Sequence, residues 1–67
     1  MTKEEYIEHY RNLQYLCYRD GDDMVYGESA EAYLVLTRIF NVPAREITKI
    51  EREAWEEYCR DGKPQGI

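Results

Sequence analysis

Apolar side chains return along this chain at steps of three and four, in three separate runs. In the first, Tyr6, Tyr10, Leu13 and Cys17 fall at steps of four, three and four, with Ile7 and Leu16 beside them. Side chains so spaced share one face of an α-helix. Thr2 and Glu5 stand ahead of the run at capping-box spacing, the hydroxyl covering one free amide and the carboxylate another. The pattern predicts a helix over residues 2–20, ended by Gly21 in the left-handed conformation.

Residues 21–28, GDDMVYGE, read as a loop in which two glycines and two aspartates bracket a short apolar island, Met24 to Tyr26. That island is expected to tuck under the other helices. Ser29 is the expected cap of a second helix over 29–40, with Glu31 in its first turn, where the helix dipole favours an acid. Ala32, Tyr33, Val35, Leu36, Ile39 and Phe40 cover an arc of about 160°, which suits a helix packed against two others. Leu34 falls outside the arc. Asn41 and Pro43 break the chain, and Val42 and Ile47 have the spacing of a hydrophobic staple around a new start. Ile47, Ile50, Ala54 and Tyr58 then share one face of a third helix over 43–60, with Trp55 beside them and Gly62 and Pro64 as its stop signals. Arg-Asp-Gly occurs at 19–21 and again at 60–62, each time where a helical pattern expires. No other similarity accompanies the pair, so it marks two helix ends and not a duplication. The expected fold is all-α: a compact three-helix bundle forming a single domain over 1–67, with 61–67 a frayed tail.

Composition narrows the function more than it names it. The 67 residues are 43% hydrophobic and 34% charged, apolar enough to fold and close to the lower size limit for an unstapled core. Net charge is −5, but residues 1–28 carry seven acidic side chains against three basic, whereas residues 29–53 carry four of each. An acidic chain is a poor non-specific ligand for nucleic acid. No basic leader precedes an apolar run, and the longest apolar stretch, residues 32–36, is far too short to cross a bilayer. The expected compartment is the cytosol, with both cysteines reduced.

Candidate chemistry is sparse. The acidic stretch at 20–23, DGDD, lacks the order and length of a calcium loop and reads as a solvated turn. Cys17 and Cys59 belong at the same end of an up-down-up bundle, as a redox pair, half a zinc site, or two buried thiols acting as small hydrophobes. His9 lies eight residues from Cys17, about 12 Å along a helix, and no further soft ligand is present, which favours the buried thiols. With Glu5 one turn earlier, His9 reads as half of an exposed ion pair. No nucleophile–base arrangement is visible, and a bundle this small has little volume for a pocket. The chain is expected to be no enzyme, with no metal and no cofactor.

The outer faces suggest binding. On the first helix Tyr15 points away from the core stripe, with Arg11 and Arg19 one turn to either side; with the acidic Asp22 and Asp23 they form the expected partner-binding surface. On the third helix Arg45, Lys49 and Arg52 fall within about 60° of one another, opposite the core. Residues 36–53, LTRIFNVPAREITKIERE, resemble the helix-turn-helix of Cro-like phage repressors. Leu36 and Phe40 match the first helix of that motif, Asn41 replaces its usual turn glycine, and Val42, Ile47 and Ile50-Glu51 match the turn and second helix. The resemblance implies a dimeric DNA-binding regulator in which Arg45, Glu46 and Lys49 face a groove, and the basic stripe adds Arg52 as a further residue to meet phosphate. In size and composition the whole chain also resembles small acidic phage or mobile-element proteins, including anti-CRISPR-type inhibitors. The small, acidic, aromatic-rich chain is expected to be a non-catalytic module that docks on and modulates a larger protein, and the acidic loop suits a basic partner, a class that includes nucleic-acid-handling proteins. The acidic balance favours the protein-binding reading over DNA.

Overall fold

Thr2 and Glu5 form the capping box that their spacing predicts. The Thr2 amide donates to the Glu5 carboxylate at 2.7 Å, and the Glu5 amide donates to the Thr2 hydroxyl at 3.2 Å. The first of these bonds, with help from the Thr2 side chain, holds the Glu5 carboxyl below its ordinary value. They open helix α1, Lys3–Asp20. Gly21 closes it at φ 65°, its amide donating to the Cys17 carbonyl at 3.0 Å. The structure is a computed structural model and describes residues 2–62. The greater part of the expected frayed tail, with Pro64, lies outside the described residues.

The second helix starts earlier than Ser29. Helix α2 runs Asp23–Leu34 and continues as a five-residue π-turn, Val35–Ile39. Its cap is Asp22, whose carboxylate accepts from the Met24 amide at 2.9 Å. The expected loop therefore contracts to Gly21 and Asp22. The physical reason is a stripe that Ser29 disguises: Val25, Ser29, Ala32 and Leu36 recur at steps of four, three and four and face inward together. Ser29 is not a cap but a buried residue within the helix, its hydroxyl donating to the Gln14 side-chain oxygen at 2.5 Å. Of the apolar island, only Val25 packs against the core, while Met24 and Tyr26 are exposed.

The stripe also corrects two expected core positions. Tyr33 lies at its edge and is exposed. Ile39 is 66% exposed, because the π-turn takes more residues per turn and the 100° step no longer applies. Phe40 still reaches the core rim, its ring 5.7 Å from that of Tyr6.

A tight turn leads to the third helix. The Phe40 amide donates to the Val35 carbonyl at 3.2 Å, Asn41 takes φ 56°, and the Val42 amide returns to the Leu36 carbonyl at 2.9 Å. Helix α3, Ala44–Glu57, begins after Pro43 and ends in a second π-turn, Tyr58–Gly62. Gly62 thus belongs to the last turn instead of standing beyond it, and the helix outlasts its expected end at residue 60 by two residues.

These helices make an all-α three-helix bundle, with no strand among the described residues. Helix α1 packs against both others. Contacts of Tyr6 with Phe40, Tyr10 with Tyr33 and Gln14 with Ser29 make α2 antiparallel to α1. Those of Tyr10 with Glu51 and Tyr18 with Trp55 send α3 in the same direction as α1. The core joins Tyr10, Leu13, Ala32, Leu36, Val42, Ile47 and Ile50, with Leu36 wholly buried. Val42 and Ile47, the two halves of the expected staple, both belong to it.

Candidate interaction surface

Helices α1 and α3 carry their aromatic side chains on adjoining faces, and toward their C-terminal ends four rings assemble. Trp55 meets Tyr18 edge-on at 5.2 Å and Tyr58 at 5.5 Å between centroids. Tyr58 in turn meets Tyr18 at 6.3 Å and Tyr15, edge-on, at 6.2 Å. Tyr58 is buried and anchors the group, whereas Trp55 leaves 49% of its surface exposed. The Arg19 guanidinium lies 6.0 Å from the centre of the Tyr15 ring. A shallow groove of about 360 Å³, lined by Asn12, Tyr15, Leu16 and Glu57, adjoins the cluster.

The structure brings together some of the expected partner-binding residues and separates others. Tyr15 and Arg19 stand side by side, with Tyr15 half-buried by its contact with Tyr58. Arg19 also grips Asp20 through two hydrogen bonds of 3.1 Å, which push its own pKa up and that of Asp20 down. Arg11 turns away to α3, pairing with Glu53 at 3.2 Å. Asp22 is committed to capping α2, and Asp23 is exposed in the first turn of that helix. Sequence reasoning missed Trp55 and Tyr18 as members of the surface. Only the shared direction of α1 and α3 makes them neighbours, and periodicity within one helix carries no such information.

Two hydrogen bonds that meet at Glu51 tie the cluster to the core. The Tyr10 hydroxyl donates to the Glu51 carboxylate at 2.6 Å, and the Tyr18 hydroxyl donates to the Glu51 carbonyl at 3.5 Å. Burial, then the bond to Glu51 and its charge, push the Tyr10 hydroxyl far above the ordinary tyrosine range. Burial and the Glu51 charge raise Tyr18 as well.

The residues expected to read DNA lie on the face of α3 turned away from the core, with Arg52 one turn before Trp55. Arg45, Glu46, Lys49 and Arg52 are all exposed. None of the three bases enters an ion pair among the described residues.

His9 does not pair with Glu5, which is taken by Thr2; it is half-buried, its ring edge-on to Tyr6 at 6.2 Å. Cys17 is a buried free thiol whose pKa burial pushes up, an environment that weakens it as a nucleophile. Cys59 is free and half-buried. Among the described residues no group of three or more His, Cys, Asp or Glu side chains is placed to hold a metal ion, and no helix is long and apolar enough to cross a membrane. Comparison of the chain with protein-family models, with curated proteins and with solved structures finds no match in any of the three.

Proposed function

We propose that this chain is a non-catalytic protein-binding module that acts in the cytosol by docking on a larger protein and modulating or inhibiting it. The observation that carries the reading is the half-exposed Trp55, held rigid by Tyr18 and Tyr58 beside the Tyr15–Arg19 pair. Tryptophan, tyrosine and arginine dominate binding energy at protein interfaces because they combine large contact area with directed polar groups. A ring already fixed by its neighbours loses little conformational entropy on docking. The acidic balance of the chain, −5 overall, favours a basic partner, a class that includes nucleic-acid-handling proteins. A phage-type inhibitor of a defence protein is the instance that its size and composition resemble. Trp55→Ala and Arg19→Glu should leave the fold intact and weaken capture of the native partner by at least about tenfold each. Undiminished capture by both folded variants overturns the reading.

A second reading is favoured by a different observation. Asn41 in the left-handed conformation, followed by the unpaired bases of α3, is what a helix-turn-helix reader of duplex DNA requires. Under that reading the chain binds duplex DNA with a steep dependence on salt, and reversing Arg45 and Lys49 to glutamate abolishes binding.

A further inference from the structure

Helix α2 has a face that none of the described residues cover. Asp23, Gly27, Ala30 and Leu34 recur at steps of four, three and four, the spacing of a helix seam, and the π-turn carries the chain on from its end. Tyr26 and Tyr33 flank the seam on one side and Glu31 on the other, with exposed Arg38 in the π-turn beyond its C-terminal end. From Tyr26 to Thr37 the only charged side chains are Glu28 and Glu31, and the seam spacing omits both. Tyr26 is 52% exposed and Leu34 44%, while Gly27 and Ala30 lie open between them. The Thr37 hydroxyl donates back to the Tyr33 carbonyl at 2.9 Å, so it makes no demand on a partner.

Gly27 is the unexplained residue of this face. Glycine weakens a helix interior, and here a Cβ at residue 27 would meet nothing within 4 Å. Nothing within the described chain calls for a glycine there. The close approach of another backbone or a large side chain from outside does.

We infer that the outer face of α2 is a homodimer interface, formed by antiparallel pairing of two copies about a two-fold axis at Ala30. An isologous contact must be complementary to itself, and this seam is. With the axis at Ala30, Gly27 of one copy lies against Leu34 of the other, small against large. Tyr26 lies against Tyr33 on the opposite flank, and the two Ala30 methyls meet at the axis, where small side chains let the helices approach. Asp23 at the acidic start of one α2 falls beside Arg38 at the end of the other. Arg38 is exposed and enters no ion pair among the described residues, so it is available for that contact. The opposite-charge pairing selects the antiparallel arrangement, since parallel pairing would set acid on acid and base on base. This surface is separate from the Trp55 cluster and does not depend on the function proposed for it.

The experiment is sedimentation equilibrium of the full chain over a range of concentrations, with a register test by cross-linking. The wild type should sediment as a dimer. Ala30→Arg places two like charges at the axis on an exposed helix position, and should raise the dissociation constant by about a hundredfold with an unchanged far-UV spectrum. In a Cys59→Ser background, Ala30→Cys should form an intermolecular disulfide on mild oxidation. Leu34→Cys should not, because antiparallel pairing about residue 30 sets the two residues 34 about 12 Å apart along the axis, beyond the roughly 7 Å Cα limit for a disulfide. A monomer at every concentration overturns the proposal. So does a dimer indifferent to Ala30→Arg, or cross-linking at residue 34 equal to that at residue 30.

Discussion

Leu36 and Tyr10 are the two residues on which the core turns, and each makes a separate prediction. Leu36 has no exposed surface, so Leu36→Ala should cost about 2–5 kcal/mol, read as a lower urea midpoint. An unchanged midpoint would remove Leu36 from the core. Tyr10 packs against α2 through Tyr33 and against α3 through Glu51. Its pKa in the folded state stands above the ordinary tyrosine value of about 10. A raised pKa means that the folded form keeps its proton while the unfolded chain releases it. The contribution is therefore complete below pH about 10 and is lost as pH climbs beyond it, by up to about 1.4 kcal/mol per pH unit for one group. Tyr18 is shifted in the same direction and adds to the loss. Denaturation profiles should thus fall above pH 10, and Tyr10→Phe should flatten that fall while weakening the fold at neutral pH by about 1–2 kcal/mol. An alkaline fall as steep in Tyr10→Phe as in the wild type would show that the hydroxyl is not the titrating group. Leu36 was legible in the sequence because its burial follows from helical period alone. The Tyr10–Glu51 bond was not, since the partners are 41 residues apart and only the packing of α3 on α1 brings them together.

At the scale of elements, capping chemistry and periodicity place α1 and the start of α3 to within about a residue, because Thr2, Glu5, Gly21 and Pro43 each act through local geometry. Helix α2 was misread where a polar residue sits in an apolar stripe. Ser29 is an excellent cap by type, yet its hydroxyl finds Gln14 across the interface and becomes a core residue. Asp22 is an equally good cap, and Val25 extends the stripe one turn earlier. The two candidates separate cleanly by mutation. Asp22→Ala should cost about 1 kcal/mol and reduce helix content through fraying of the first turn of α2. Loss of neither helix nor stability would return the start of α2 to Ser29. The π-turns at Val35–Ile39 and Tyr58–Gly62 were also beyond the sequence pattern. A period of 3.6 residues has no place for them, and the effect of the first appears in Ile39, which it turns outward.

At the scale of the molecule, three surfaces are distinct: the Trp55 cluster where α1 meets α3, the uncovered seam on α2, and the unpaired bases of α3. Sequence reasoning located the third and half of the first, Tyr15 with Arg19, because each lies on a single helix. The rest of the cluster required knowing which helix faces which, and the seam on α2 required knowing where that helix begins. Charge separates the functional readings. Docking on a basic protein through the aromatic cluster is relieved by changes at Trp55 or Arg19, whereas reading DNA is relieved by changes at Arg45 or Lys49. The most direct test is to compare, in parallel, the native-host protein and nucleic acid retained by the wild type, by Trp55→Ala and by the Arg45→Glu/Lys49→Glu pair. The account predicts that one larger protein is retained by the wild type and the paired variant alike, and is lost with Trp55→Ala while that variant remains helical. Retention of duplex DNA that disappears with Arg45→Glu/Lys49→Glu and survives Trp55→Ala would contradict it.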